Sequence, residues 1–159
     1  MSIDVIGIGL CTVDMLFVVE QQPAFDTTMR ASQYLRQGGG PVPTALVALA
    51  RLGAATSYFG KVGDDADGDF IRMELEQEGV DTAPFVVVAD ALTRVALVLV
   101  EEATGERGFT TRPETCTDLG PTEIDYETIT NARILQRTQR SDFKVRIAMT
   151  HAAQLLCKF

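Results

Sequence analysis

The chain has no C-x-x-C pair: its three cysteines, Cys11, Cys116 and Cys157, stand far apart. That spacing excludes the common zinc and redox motifs. A sparse, odd set of thiols fits a reducing compartment, so a cytoplasmic location is expected. Histidine is scarcer still. His151 is the only one, with no cysteine or carboxylate at ligand spacing, so no metal site is read and His151 is expected to be structural or exposed. Positive charge is also short, with 14 Lys plus Arg against 22 Asp plus Glu and a net charge of −8. Phosphate backbones demand clustered cations, so no nucleic-acid partner is expected. No apolar run reaches the ~18 residues that a membrane helix needs, so no membrane partner is expected either. The opening MSIDVIGIG has no basic region ahead of its apolar residues and does not read as a signal peptide. The phosphate loop G-x-x-x-x-G-K-[ST] is absent as well.

What the chain does have is apolar residue, 46% of the total, enough for a real core. Its 159 residues suit one domain, or one domain with an appendage. The richest stretch runs from Gly38 to Gly68, GGGPVPTALVALARLGAATSYFGKVGDDADG. Three glycines lead into TALVALARL, apolar at nearly every position, which predicts a helix buried on most sides. Pro41 and Pro43 suit its first turn, where a proline loses no helical hydrogen bond. Gly53 stops it as a C′ residue would. A short strand over 55–60 and an acidic turn follow. A glycine turn feeding a helix can bring backbone N–H groups to a polar ligand, or can be a tight turn that binds nothing.

Elsewhere the pattern alternates between strands and helices. IDVIGIGL at 3–10 predicts a buried first strand. Gly7 and Gly9 suggest the dinucleotide fingerprint G-x-G-x-x-G, but its third position is Thr12, so a nucleotide-binding oxidoreductase is the weakest of the readings. Asp14 follows, and a lone Asp in a turn is ordinarily a cap or a solvated side chain. Weak strands are predicted at 17–19 and 29–35. A helix is predicted over 64–78, with Asp64 or Asp65 as N-cap and Asp67 and Asp69 favouring its dipole. Its acids mimic a calcium loop, but Phe70 stands where that loop needs glycine, so the metal reading is rejected. Strands at 85–88, 95–100 and 107–111 come next, the last two joined by the hairpin loop 101–106. Arg94 and Arg112 flank them. Such residues are commonly solvated strand ends, or they hold an acidic or phosphorylated group by a bidentate contact.

In order and spacing, Gly38-Gly39, Leu52-Gly53 and the segment Gly60-Lys61-Val62-Gly63-Asp64-Asp65-Ala66-Asp67-Gly68 resemble the N-terminal signature of the ribokinase-like (PfkB) carbohydrate kinases. The resemblance implies an α/β fold, a ribokinase-like three-layer αβα core (incomplete in this chain) with a small β-sheet lid. The lid strands would lie at about 15–37 and 85–112. It implies that Asp14 binds sugar hydroxyls, a task that suits a carboxylate because it accepts two hydrogen bonds at once. Gly38, Gly39 and Gly40 would be further substrate-binding positions, and Arg94 and Arg112 candidate substrate contacts. The family carries an Asn near the helix start. Here Pro43 or Thr44 stands there, and neither supplies a carboxamide. ATP and Mg²⁺ are implied as cofactors, a sugar or sugar derivative as substrate, and a homodimer through the lid strands as an assembly.

The family's second signature, a G-A-G-D turn carrying the catalytic Asp and an anion hole, does not occur in this sequence. No catalytic residue is therefore assigned. The resemblance spans about 3–135, with TITNARIL at 128–135 matching a helix that leads into a sheet strand. It corresponds to about the first half of a full-length kinase, so the chain is expected to be truncated and inactive alone. Residues 1–135 are read as the substrate-binding half. Residues 136–159 are read as an atypical tail, as after a change of reading frame. Up to Thr130 there are 8 cations and 21 acids, and from Asn131 onward 6 and 1. Ile147, His151, Leu155 and Phe159 would line one face of a helix there. The alternative to a kinase half is a non-catalytic interaction module that pairs through its lid edges.

Overall fold

The computed structural model describes residues 3–130 and 132–137. In chain order these form β1 (Val5–Ile8), β2 (Thr12–Val19), β3 (Gln33–Gly39), α1 (Pro41–Arg51), β4 (Thr56–Phe59), β5 (Lys61–Gly63), α2 (Ala66–Gln77), β6 (Val86–Val88), β7 (Val95–Glu101) and β8 (Arg107–Thr111). A 3-10 turn at Pro121–Glu123 precedes α3 (Tyr126–Thr130) and β9 (Ile134–Arg137).

The centre is a parallel sheet in the order β4-β1-β9. All four residues of β1 are buried, because both faces are covered. Val5 points into a cluster with Val42 and Leu46 of α1 and Ile71 and Leu75 of α2. Ile6 and Ile8 point the other way, onto Leu119, Ile124 and Ile129. These two clusters make the three layers. Burying each such aliphatic side chain contributes about 2 kcal/mol, so β1 is the main anchor of the core. The expected α/β architecture is thus observed.

A second sheet, in the order β3-β2-β7-β8, stands beside this core. Its central pair is parallel and its two flanking pairs antiparallel. One face rests on α2: the Arg36 guanidinium lies 4.0 Å from the Phe70 ring centre and 2.7 Å from Asp67 Oδ1. The opposite face carries Leu35 and Phe109, 52% and 64% exposed. This is the sheet expected as the lid.

Several local expectations differ from the structure. Asp14 lies inside β2 rather than in a turn, because β2 pairs along its length with β3 and β7. Gly38 and Gly39 end β3 opposite Val13 and Thr12, so the linker into α1 shrinks to Gly40. Helix α1 buries one stripe, Val42, Pro43 and Leu46, not most of its surface. Val86–Val88, expected among the lid strands, pairs instead with β5. Strand β9 runs two residues past the expected boundary at 135, and the amphipathic helix expected beyond it lies outside the described residues.

Candidate functional site

Three elements bring the expected site residues together where the second sheet meets α1. Strand β2 supplies Asp14, β3 ends in Gly38 and Gly39, and Gly40 caps α1. Side chains on paired strands share a face when they lie opposite one another. Asp14 faces Gln37, and Thr12 faces Gly39 one pair further in. The Asp14 carboxylate lies over the bare backbone of Gly39, where a Cβ would stand 2.2 Å from Oδ2. Gly40 has φ 110°, and a Cβ there would meet the Leu10 carbonyl oxygen at 2.6 Å. Glycine is needed at these two positions for different reasons, close approach at one and backbone conformation at the other.

Partial burial pushes the Asp14 carboxyl above its ordinary value, and the Thr12 hydroxyl pulls it part of the way back. Among the described residues no cation pairs with this half-buried carboxylate, which keeps acceptor positions beyond the one that takes Thr12. The glycine backbone is less open than the sequence implies. The Gly38 N–H donates to Glu74 Oε2 at 2.7 Å, so it is already engaged. The Gly40 carbonyl accepts from the Thr44 N–H at 3.1 Å.

The two candidate arginines stand on the same end of the sheet but are committed elsewhere. Arg94 holds Glu114 through two parallel contacts, one of 2.7 Å, and reaches Asp118 at 3.5 Å. Arg112 pairs with Asp65 at 3.2 Å and Asp67 at 3.0 Å, and donates to the Thr93 carbonyl. Sequence reasoning missed this cluster. Asp65 caps α2 through the Gly68 N–H at 2.8 Å, and it also takes the Thr93 hydroxyl at 2.6 Å and the Thr93 N–H at 3.0 Å. The cluster therefore ties the start of β7 and the end of β8 to the head of α2. Its capping half was visible in the sequence; its long-range half was not.

Gly7 has a different task from the one the dinucleotide fingerprint would give it. A Cβ there would lie 2.5 Å from Val42 Cγ1 and 2.6 Å from Leu46 Cδ1, so Gly7 lets α1 sit on β1. The chain after β1 continues as strand β2, not as the helix a dinucleotide site requires. No group of three His, Cys, Asp or Glu among the described residues could hold a metal ion. These residues thus form no all-protein cage for a divalent ion, and no step of phosphoryl transfer is derived through one. No helix among the described residues is long and apolar enough to cross a membrane.

A three-layer α/β core with a four-stranded side sheet, a sheet-borne carboxylate and a glycine-capped helix define a ribokinase-like fold. The family model for pfkB family carbohydrate kinases matches residues 2–159. The chain belongs to that family. It is 32% identical over 147 residues to the ATP-dependent ribose-1-phosphate kinase of Halopiger xanaduensis, covering 92% of this chain and 49% of the relative. It is 31% identical over 137 residues to the 5-dehydro-2-deoxygluconokinase of Bacillus subtilis, covering 84% and 41%. Among solved structures it is similar in fold to Arabidopsis thaliana ribokinase complexed with ribose and ATP. There the TM-score is 0.70 and the identity 21%, over 86% of this chain and 45% of that one. The chain spans about half the length of the curated relatives it matches.

Proposed function

We propose that this chain is the sugar-binding part of an ATP-dependent carbohydrate kinase, a family that moves the ATP γ-phosphate to a sugar hydroxyl. The observation that carries the reading is the Asp14 carboxylate, half-buried, paired with no cation among the described residues, and set against the bare backbone of Gly39. In this role Asp14 accepts hydrogen bonds from two neighbouring sugar hydroxyls, each worth about 1.5–3 kcal/mol when the acceptor is charged. Gly38, Gly39 and Gly40 let the sugar approach the backbone. Arg94 and Arg112 contact substrate only if they exchange their present carboxylates for it. ATP and Mg²⁺ are the family's cofactors. The G-A-G-D turn is absent from this sequence, so the chain alone is proposed not to transfer phosphate. Residues up to 137, where β9 ends, form the binding part, the basic stretch 138–159 follows it, and the location is the cytoplasm.

A thermal-shift and calorimetry screen against neutral sugars, sugar acids, sugar phosphates and ATP tests this. Ligand binding to the folded state raises the melting temperature by mass action. A shift with one sugar class, lost in Asp14→Ala, supports the reading; a cooperative melt with no shift from any sugar overturns it. Robust turnover with ATP and Mg²⁺ would overturn the inactivity.

A second reading rests on the exposed Leu35 and Phe109 of the side sheet. A non-catalytic module, or a homodimer formed through these strands, would cover that apolar face. Light scattering that shows a dimer indifferent to sugars would favour it.

A further inference from the structure

Strand register places four residues in one row across the face of the side sheet that carries Asp14. They are Gln37, Asp14, Ala96 and Thr111, each opposite the next. Side chains directly opposite stand about 5 Å apart, so the Gln37 carboxamide reaches the same ligand as the Asp14 carboxylate. Thr111 lies two strands away, about 10 Å, with only the Ala96 methyl between. The Gln37 and Thr111 side chains have no hydrogen-bond partner among the described residues. Gln37 is half-buried and Thr111 exposed. Among the described residues the carboxamide has no side-chain partner and the half-buried Asp14 carboxylate beside it has only the Thr12 hydroxyl, so both keep hydrogen-bonding positions that a ligand can take.

The charge balance of the site limits which ligand. Arg94 is neutralised by Glu114 and Asp118, and Arg112 by Asp65 and Asp67. Arg36 also pairs with Asp67. The helix that opens at Gly40 is a poor anion cradle, because Pro41 and Pro43 have no N–H to offer. Asp14 therefore adds a negative charge that no ion pair among the described residues offsets.

We propose that Gln37, with Thr111 beside Ala96, forms with Asp14 a row that reads the hydroxyls of a neutral polyhydroxylated sugar and disfavours sugar acids and sugar phosphates. This rests on the sugar-binding reading above and names its substrate class. Asp14 accepts only, whereas the carboxamide and the hydroxyl both donate and accept. The row can thus fix the direction of a hydroxyl hydrogen bond on either side of the carboxylate.

Calorimetric titration of this chain with D-fructose, D-ribose, D-gluconate and ribose 5-phosphate tests it, alongside Gln37→Ala, Thr111→Val and Asp14→Asn. The expected result is that a neutral sugar binds at least tenfold more tightly than the gluconate or the phosphate. Gln37→Ala weakens that sugar about tenfold and Thr111→Val several-fold, with melting curves unchanged. Tighter binding of the gluconate or the phosphate overturns the neutral class. A neutral sugar that is lost in Asp14→Asn but unaffected by Gln37→Ala and Thr111→Val overturns the row and leaves the sugar-binding reading standing. No binding of any sugar to the folded chain overturns both.

Discussion

Replacing Asp65 by alanine removes four hydrogen bonds at once. Its carboxylate caps α2 through the Gly68 N–H, accepts from the Thr93 hydroxyl and N–H, and pairs with Arg112. Loss of the cap alone costs about 1 kcal/mol. Thr93 is 1% exposed, so its N–H is left buried without an acceptor, at about 1–3 kcal/mol. Arg112 keeps Asp67 and the Thr93 carbonyl, so the lost ion pair adds little. Asp65→Ala is therefore expected to lower stability by about 3 kcal/mol. Asp65→Asn keeps a good cap but turns a donor toward the Thr93 N–H, and is expected to cost about half as much. Urea unfolding followed by circular dichroism reads both, as a lower midpoint with an unchanged slope.

The pH dependence of Asp65 adds a second check. Burial alone would raise its pKa, but the Thr93 and Gly68 hydrogen bonds and the Arg112 charge together bring it below 3.8. A depressed carboxyl contributes stability that is fully present above its unfolded value and is lost as pH falls through the folded value. The gap between wild type and Asp65→Asn should therefore hold from neutral pH down to about 4 and close below it. An Asp65→Ala variant within 0.5 kcal/mol of wild type, or an Asp65→Asn variant as damaged as the alanine, would refute the reasoning.

Two other groups yield simpler expectations. The Tyr58 hydroxyl, fully buried, donates to the Gly9 carbonyl at 2.8 Å, so Tyr58→Phe should cost about 1–3 kcal/mol in the same urea assay by leaving that oxygen unpaired. Burial pushes the Cys11 thiol up to about 11, so at neutral pH Cys11 should resist a thiol reagent in the folded protein and react once guanidinium unfolds it, as mass spectrometry of the labelled peptide would show.

How far the sequence reached depended on how local each signal was. The cap at Asp65 was legible because capping chemistry acts within one turn. Its bond to Arg112 spans 47 positions and leaves no local trace. Asp14 read as a turn residue because a charge interrupted an apolar run. Pairing with β3 and β7 places it within a strand, since tertiary context overrides weak strand preference. Gly38 and Gly39 read as turn for the same reason, yet they end a strand that tolerates glycine because the Asp14 carboxylate lies against it. The apolar content of α1 predicted a helix correctly but overstated its burial, because composition does not say how many faces are covered. Gln37 carried no signal at all, and became visible only through the register that sets it opposite Asp14.

The most direct test of the central claim is a paired measurement on Asp14→Asn, with melting and sugar titration on the same samples. Partial burial raises the Asp14 carboxyl, so its charge at neutral pH opposes folding, a cost relieved only as pH falls through the folded value. The account predicts that Asp14→Asn melts at or above the wild-type temperature at neutral pH while sugar affinity falls ~10–100-fold, the loss of a charged acceptor. A variant that binds sugar within twofold of wild type would contradict it.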